Sequence, residues 1–377
     1  MKVEGFIAGR LRFKGRMAVI AIAISFFIII ISVAISSGFS REVRSAISQM
    51  TGDILLSNSA ADWYGESDPI SGCDSLAASV LKIPGVTAAR PVVYRAGIIK
   101  EGNDIYGALF KGSSTDTSSL AVSIPSSLAR SLGKGAGDQI TAYFISDRVK
   151  ARRFKIASVH ENTVDTGGYL IIDAPLRDMQ RLNGWSSDEV SAIELILDGK
   201  NRSRLEMREK AAEAGMRTGL AATASTDSYS QLFDWLELID YNVYAIIVLM
   251  TIVAGFNMIS GLLILLFRSI STIGTLKSLG MTDRAIAGIF LRVSARLAGI
   301  GMLIGNAAAL LFCLIQGSTR LIRLNPENYF VSFVPVDINP LGIVLADVSA
   351  FAVIMILLLI PSLFISKIDP SETVKTE

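Results

Sequence analysis

Residues 17–37 read MAVIAIAISFFIIIISVAISS, an apolar stretch that contains no charged side chain. As a helix, it is long enough to cross the ~30 Å hydrocarbon core of a bilayer. Five cationic residues precede it: Lys2, Arg10, Arg12, Lys14 and Arg16. The alternative is a cleavable signal peptide, since Ala34-Ile35-Ser36 loosely resembles a cleavage site, but the apolar region of such a peptide has only about 7–15 residues. We therefore expect residues 17–37 to remain as a membrane anchor.

Three further stretches are long and apolar enough to span a bilayer. They occupy residues 243–267, 297–316 and 342–362. Of the 377 residues, 51% are hydrophobic and only 19% are charged, a balance too apolar for a soluble domain of this length. The sequence therefore predicts an α-helical membrane protein with four transmembrane helices.

The cationic residues that flank these spans predict the orientation of the chain. One group precedes the first span, and a second lies in or beside the loop between the second and third spans: Arg268, Lys277, Arg284, Arg292 and Arg296. By the positive-inside rule, residues 1–16, 268–292 and 363–377 are predicted to be cytoplasmic. The link 317–340 and the long stretch 51–230 are then extracytoplasmic.

Apolar residues recur at helical spacing beyond the outer ends of the first two spans, in residues 38–50 and 231–242. They are Phe39, Val43, Ile47 and Met50 in the first segment and Leu232, Trp235, Leu236 and Ile239 in the second. Both spans are therefore predicted to continue outward as stalk helices. Two interpretations stay open: the stalk helices pack together and join the outer domain mechanically to the spans, or they only cap the base of that domain.

Residues 51–230 have the composition of an ordinary globular domain with short strands and helices. Strands are predicted at 52–56, 86–99, 139–144, 152–159 and 192–197, and helices at 73–83, 126–132 and 204–214. This order of elements predicts a large α+β domain between the first and second spans.

The sequence predicts neither a catalytic residue nor a metal site. One histidine, His160, and two cysteines, Cys73 and Cys313, are too few for a zinc or iron site or a typical triad, although a carboxylate pair formed in space stays open. The glycines at 133, 135 and 137 lack the spacing of a phosphate loop and predict a turn. Any ATP that drives the protein must therefore bind another polypeptide. A net charge of +2 gives no field that attracts nucleic acid.

Two sets of polar side chains are candidate functional residues. The first is a basic group near the tip of the predicted hairpin: Arg148, Lys150, Arg152, Arg153 and Lys155. These residues either form a solvated edge that discourages strand pairing or contact an acidic partner or lipid headgroups. The second is the intramembrane pair of Asn257, which can hydrogen-bond across helices, and Asp347, which we expect near the partly hydrated outer interface.

The loop between the second and third spans contains the most specific motif. Residues 273–281 read IGTLKSLGM and residues 286–290 read IAGIF, which predicts a helix, a turn at Gly280 and a second helix capped by Thr282 or Asp283. Both segments resemble the FtsX-like, or MacB-type, permease family of ABC transporters. Further resemblances lie in Phe6-Ile7-Ala8-Gly9-Arg10, Ile83-Pro84-Gly85-Val86, Tyr329-Phe330-Val331-Ser332, Val334-Pro335-Val336, Pro361, Asp369 and Pro370.

The resemblance implies a non-catalytic subunit of the bacterial inner (cytoplasmic) membrane, most similar to the lipoprotein-releasing permeases. Its coupling segment to a separate ATPase, which would bind ATP and Mg, would be Thr275, Leu276, Lys277, Ser278, Leu279, Gly280 and Met281. A second permease subunit, in a homo- or heterodimer, and a lipoprotein substrate are further implied partners. Residues 145–151 are too short for the hook that receives a periplasmic chaperone in one class of these permeases.

Other functions remain as alternatives. Within the family they are export of a small molecule and control of a cell-wall hydrolase. Outside it, the outer domain could bind a ligand in a membrane-anchored sensor, although only about fifteen residues follow the last span.

Overall fold

The computed structural model describes residues 15–58, 68–102, 104–113, 119–145, 149–160, 170–198, 203–325 and 331–362. Several predicted features lie outside these residues: positions 1–14 and 363–377 with Asp369 and Pro370, and Arg148, Tyr329 and Phe330. The chain divides into two compact units. The span unit comprises Met1–Phe39, Leu236–Ile322 and Val334–Glu377, and the head unit comprises Ser40–Trp235 and Arg323–Phe333.

In chain order, the elements are α1 (Arg16–Thr51), β1 (Ile54–Ser57), α2 (Cys73–Val80), β2 (Val86–Glu101), β3 (Asp104–Ser113), β4 (Ala121–Pro125), α3 (Ser126–Leu132), β5 (Gln139–Phe144), β6 (Lys150–His160), β7 (Leu170–Pro175), α4 (Leu176–Asn183), β8 (Ala192–Leu197), α5 (Arg204–Thr218), β9 (Ala221–Ala224), α6 (Ser225–Ser228), α7 (Ser230–Arg268), α8 (Ile270–Ser278), α9 (Asp283–Thr319), α10 (Pro340–Leu357) and α11 (Leu359–Ser362).

Four helical segments of the described chain are long and apolar enough to cross a membrane, as predicted: α1, α7, α9 and the pair α10–α11. The helices extend beyond the predicted spans. Helix α1 continues through residues 38–50, α7 already includes residues 231–242, and α9 begins at Asp283 rather than near residue 297. The first two spans and their stalk segments are therefore continuous helices.

Glycines on α9 bring it close to α1 within the span unit. A Cβ atom at Gly305 would lie 2.4 Å from the carbonyl oxygen of Ala23, and one at Gly301 would lie 2.8 Å from a methyl carbon of Ile22. These glycines form a G-x-x-x-G pattern, which allows close backbone contact between membrane helices, where packing rather than a hydrophobic driving force holds helices together.

The strands described in the head unit form one nine-stranded sheet, in the order β3-β7-β4-β6-β5-β2-β8-β1-β9. Strand β3 also pairs with β2, so that β2, β3, β7, β4, β6 and β5 close on themselves. Strand β2, with 16 residues, is long enough to belong both to this closed part and to the extension β8-β1-β9. Three aromatic rings, Phe110, Phe144 and Phe154, fill the core of the closed part, with the Phe110 and Phe144 centroids 4.9 Å apart.

The head unit confirms the predicted α+β class. Strands β5 and β6 form the predicted antiparallel pair, and α3 ends at Gly133, whose φ of 61° makes the glycine segment a turn. The sequence did not predict β3, β4, β7, β9 or α4. Strand β3 contains Gly107, Lys111 and Gly112, which obscure the alternation by which a half-buried strand is recognised.

Candidate functional site

The segment 275–281 closes α8 with a Schellman motif. Gly280 has a φ of 85°, the Gly280 N–H donates to the carbonyl oxygen of Lys277, and the Met281 N–H donates to that of Leu276 at 3.0 Å. Leu276 and Met281 are partly buried against the core of the span unit, which supplies the hydrophobic contact that accompanies this motif. The turn is thus anchored on its inner side by two apolar side chains.

The following helix is fixed by a cap and an ion pair. The Thr282 hydroxyl accepts from the backbone N–H of Ala285, so Thr282, rather than Asp283, is the N-cap of α9. Asp283 instead bonds Lys277 across the turn, with 2.9 Å between Nζ and Oδ1. Because Lys277 is the last-turn cation of α8 and Asp283 the first-turn anion of α9, each charge also complements the dipole of its own helix.

The outer side of this turn is a small exposed surface. Leu279 is 78% exposed at its tip, and the exposed side chains of Thr275, Ser278 and Thr282 surround it. Of the seven predicted coupling residues, Leu276 and Met281 thus hold the turn in place, whereas Leu279 is presented to solvent. Leu279 is therefore the apolar side chain of this segment that a partner protein can reach.

A buried ion pair in the head unit was not predicted. Lys111 on β3 and Glu194 on β8 lie 2.8 Å apart, and their side chains are 7% and 0% exposed. Tyr94, which faces Lys111 across the β2–β3 ladder, donates its hydroxyl to Glu194. Burial raises the pKa of the Glu194 carboxyl above its ordinary value, and Lys111 and the Tyr94 hydroxyl oppose this effect.

The same lysine holds the end of the stalk part of α1. The Lys111 ammonium donates to the carbonyl oxygen of Met50 at 2.6 Å, and a cation at a helix C-terminus is favoured by the helix dipole. Gly52 follows with a φ of 75°, and a Cβ there would lie 2.9 Å from the Cβ of Glu194. We call Lys111, Glu194, Tyr94 and the Met50 carbonyl the stalk clamp.

Asp53 continues the connection from α1 to the sheet. Its N–H donates to the carbonyl oxygen of Leu195, and its carboxylate accepts from the N–H of Leu197 at 2.7 Å. Phe233, in the second stalk segment, contacts Arg44 of the first. The guanidinium carbon of Arg44 lies 5.0 Å from the centroid of the Phe233 ring. Within the head unit, the two stalk segments therefore contact each other, and the first is also bonded to the sheet; whether they transmit motion to the spans stays a prediction.

The single histidine lies in a polar cluster of the head unit. His160 Nδ1 and Ser123 Oγ are 2.9 Å apart, Ser158 donates its hydroxyl to Ser123, and Asp173 is opposite Ser123 across the β4–β7 bridge. Burial lowers the pKa of His160, and it raises the pKa of Asp173. In the described part of the chain, no hydrogen bond joins Asp173 to His160 and no group of three metal-binding side chains occurs.

The four basic hairpin residues that the structure describes do not share one exposed face. Lys150 donates its ammonium to the carbonyl oxygen of Leu182 at 2.8 Å and is therefore held against the domain. Arg153 and Lys155 are exposed and share one face of β6, whereas Arg152, also exposed, points to the other face because side chains alternate along a strand.

The two intramembrane polar residues differ in their surroundings. Asn257 on α7 is partly buried, and its amide makes no hydrogen bond with any described residue. Asp347 on α10 is only 9% exposed and accepts a hydrogen bond from the Asn306 amide of α9 at 2.5 Å, while its position near the outer interface stays a prediction. Asn306 had no distinguishing signal in the sequence beyond its polarity in an apolar stretch.

Known proteins resemble the chain in both of its parts. The FtsX-like permease C-terminal domain matches residues 244–370, which include α8, the exposed turn and α9. Residues 244–370 thus carry an FtsX-like permease domain. The permease is 21% identical to the lipoprotein-releasing system transmembrane protein LolC of Xylella fastidiosa, over 99% of this chain and 95% of that protein. It is also 21% identical to LolE of Haemophilus influenzae, over 96% and 94% of the two chains.

Among solved structures, the periplasmic region of MacB from Actinobacillus actinomycetemcomitans is similar to half of the permease. The match covers 50% of this chain and 95% of that structure, with 14% sequence identity and a TM-score of 0.32. The chain thus combines four candidate membrane helices and a β-rich head unit with an FtsX-like permease domain, of the type found in ABC transporters.

Proposed function

We propose that the permease releases lipoproteins from the outer leaflet of a bacterial inner membrane, driven by ATP and Mg bound to a separate ATPase. The observation that carries this proposal is the similarity to LolC, a lipoprotein-releasing protein, over 99% of the chain. The cationic loop 268–292 supports a cytoplasmic position for the exposed turn, with both termini on the same side and the head unit in the periplasm.

In this proposal the turn around Leu279 docks on the ATPase. The Schellman motif and the Lys277–Asp283 pair hold the turn rigid, so that a push on Leu279 moves α8 and α9 rather than deforming the loop. Helices α1 and α7 each run without a break through a span and a stalk, and the stalk clamp fixes the end of α1 to the sheet of the head unit. A second permease subunit completes the transporter.

Only some of the basic residues of β6 are placed to contact a partner. Arg153 and Lys155, which share an exposed face, would contact an acidic segment of a substrate or chaperone, whereas Lys150 is occupied within the domain.

The Leu279→Asp variant tests the docking step. A buried carboxylate in an apolar pocket is strongly disfavoured, so affinity purification of the variant should recover little or no ATPase. Leu205→Asp is the matched control, because Leu205 is 68% exposed on α5 of the head unit. Retention of the ATPase by Leu279→Asp would contradict the assignment of the turn.

Lipoprotein release is tested separately, in proteoliposomes that contain the permease complex, ATP and a fluorescent triacylated lipoprotein. We expect ATP-dependent transfer of the lipoprotein to a soluble acceptor. ATP hydrolysis without transfer of any lipoprotein would reject the substrate but keep the ATPase coupling, and would favour efflux or hydrolase control.

A further inference from the structure

The hydrogen bond between Asn306 and Asp347 leaves two oxygen atoms without partners. Asn306 Nδ2 donates to Asp347 Oδ2, but Asn306 Oδ1 and Asp347 Oδ1 are both buried and bond no described residue. An amide oxygen and an ionised carboxylate oxygen are both acceptors, so neither can satisfy the other. Two unsatisfied acceptors on one pair of side chains indicate that a donor is missing from this place.

The helices that carry the pair supply no cation to this carboxylate. Asp347 is the one charged residue of α10, and α9 has no charged residue between Arg296 and Arg320. Helix α1, which contacts α9 at Gly305, has none between Arg16 and Arg41. The apolar segment 243–267 of α7 is also without charge, and Tyr244 is its titratable side chain. An ionised Asp347 would therefore be a solitary charge among apolar helices, which is strongly disfavoured in a bilayer.

We propose that Asp347 holds a proton and that this proton makes a second hydrogen bond to Asn306. A protonated carboxyl has one O–H donor, which Asp347 Oδ1 would direct at Asn306 Oδ1. The amide donates to one carboxyl oxygen while the other carboxyl oxygen donates to the amide, so one proton satisfies both orphan atoms and removes the charge. The pair is then a proton-binding clasp between the third and fourth spans.

A metal cation is a poorer occupant than a proton. Hard cations such as Ca²⁺ and Mg²⁺ take six or more oxygen ligands in proteins, whereas this pair offers two unsatisfied oxygens. The hydroxyl of Ser349, two positions further along α10, is already committed, since it donates to the carbonyl oxygen of Ala346. A proton needs only the two oxygens that are present.

Infrared spectroscopy of the full-length chain in lipid bilayers tests the proposal directly. At neutral pH, the wild-type spectrum should contain a carbonyl band of a protonated carboxyl, and the difference from Asp347→Asn should isolate it. Incorporation of ¹³C-aspartate should shift the band. Asp104→Asn, which changes an exposed carboxylate of the head unit, is the control and should leave the band intact.

The proposal also predicts how stable two variants are. Asp347→Asn should unfold at the same temperature as the wild type, because an amide can donate to and accept from Asn306 as a neutral acid does. Asn306→Leu should lower that temperature and shift or remove the band. A wild-type spectrum with no protonated carboxyl at neutral pH, or a carboxylate band that responds to added Na⁺, would overturn the proposal. Its outcome is independent of whether lipoproteins are the substrate.

Discussion

The ammonium of Lys111 lies 2.6 Å from the carbonyl oxygen of Met50, although the two residues are 61 positions apart in the chain. This contact joins the C-terminal turn of a helix to the middle of a sheet. Lys111 also pairs with the fully buried Glu194, so the atom that holds the helix end is itself fixed by an opposite charge. The stalk part of α1 is therefore attached to the sheet through a buried ion pair.

Replacement of Lys111 by methionine should destabilise the head unit by about 3–5 kcal/mol, because Glu194 would remain buried without its cation. Chemical denaturation of the full chain in detergent, followed by tryptophan fluorescence, measures this change, since Trp185 and Trp235 belong to the head unit. Lys134→Met is the control: its pair with Glu101 is partly exposed and should contribute at most about 1 kcal/mol.

The charge-reversed double variant, Lys111→Glu with Glu194→Lys, separates the ion pair from the helix attachment. It restores opposite charges, but a glutamate at position 111 cannot donate to the Met50 carbonyl. We expect partial recovery of stability without recovery of the proposed ATP-driven release. Full recovery of release would show that the contact with the helix end is dispensable.

Alanine at Gly305 should destabilise the span unit by about 1–3 kcal/mol, because its Cβ would lie 2.4 Å from a backbone oxygen of α1, which cannot move aside as a side chain can. Alanine at Gly299, on the same helix, has no atom within 4 Å and should leave stability unchanged or slightly raised. Thermal unfolding in nanodiscs compares the two variants, and equal losses would contradict the close packing of α1 and α9.

Valine at Gly280 should weaken the exposed turn, because a left-handed conformation costs a β-branched residue more than the roughly 1–2 kcal/mol of an ordinary L-residue. Asparagine tolerates this conformation and should retain most of the function. Copurification of the proposed ATPase partner measures both variants. If Gly280→Val and Gly280→Asn bind equally well, the left-handed residue is not required for docking.

His160 should make the stability of the head unit depend on pH. Burial lowers its pKa in the folded state below the ordinary value of about 6.5, so the unfolded chain takes up a proton that the folded chain does not. Stability should therefore fall as the pH drops below about 6.5, until the folded-state pKa is reached. The raised pKa of Asp173 acts in the opposite direction. Between pH 3.8 and its folded-state pKa, the folded chain binds a proton more readily than the unfolded chain, so this group raises stability as the pH drops.

Substitution of His160 by glutamine isolates the contribution of the histidine, because Asp173 stays in place. The free energy of unfolding of this variant should depend less on pH below about 6.5. As the chain has one histidine, ¹⁵N-histidine labelling gives one imidazole to titrate by NMR. A midpoint at or above 6.5 would contradict the prediction.

The membrane helices could be predicted because lipid exposure imposes long apolar stretches, and the turn at Gly280 because a glycine between two helical patterns has few other roles. Strands β5 and β8 were equally evident. Strand β3 was not, because its glycines and Lys111 face neighbours that come from distant parts of the chain: Met179 of α4 would contact a Cβ at Gly112.

The stalk clamp and the partner of Asp347 could not be predicted for the same reason. Lys111 and Glu194 are 83 positions apart, and Asn306 and Asp347 are 41 apart. Each residue alone is an ordinary polar side chain, and only the tertiary structure gives it an opposite charge or a complementary amide. The sequence predicted the apolar segments that are long enough to cross a membrane, but not the polar pairs that join elements.

Gln316, near the end of α9, closes the link between the third and fourth spans with its side chain. Its amide donates to the carbonyl oxygens of Ile322 and Val334, and its carbonyl accepts from the N–H of Ile322. Gln316 thus holds both ends of the segment between Ile322 and Val334. A change in the length of that segment should therefore not move the last span. An epitope or fluorophore inserted after Asn325 should therefore be tolerated, and its accessibility in intact cells would report on which side of the membrane this link lies.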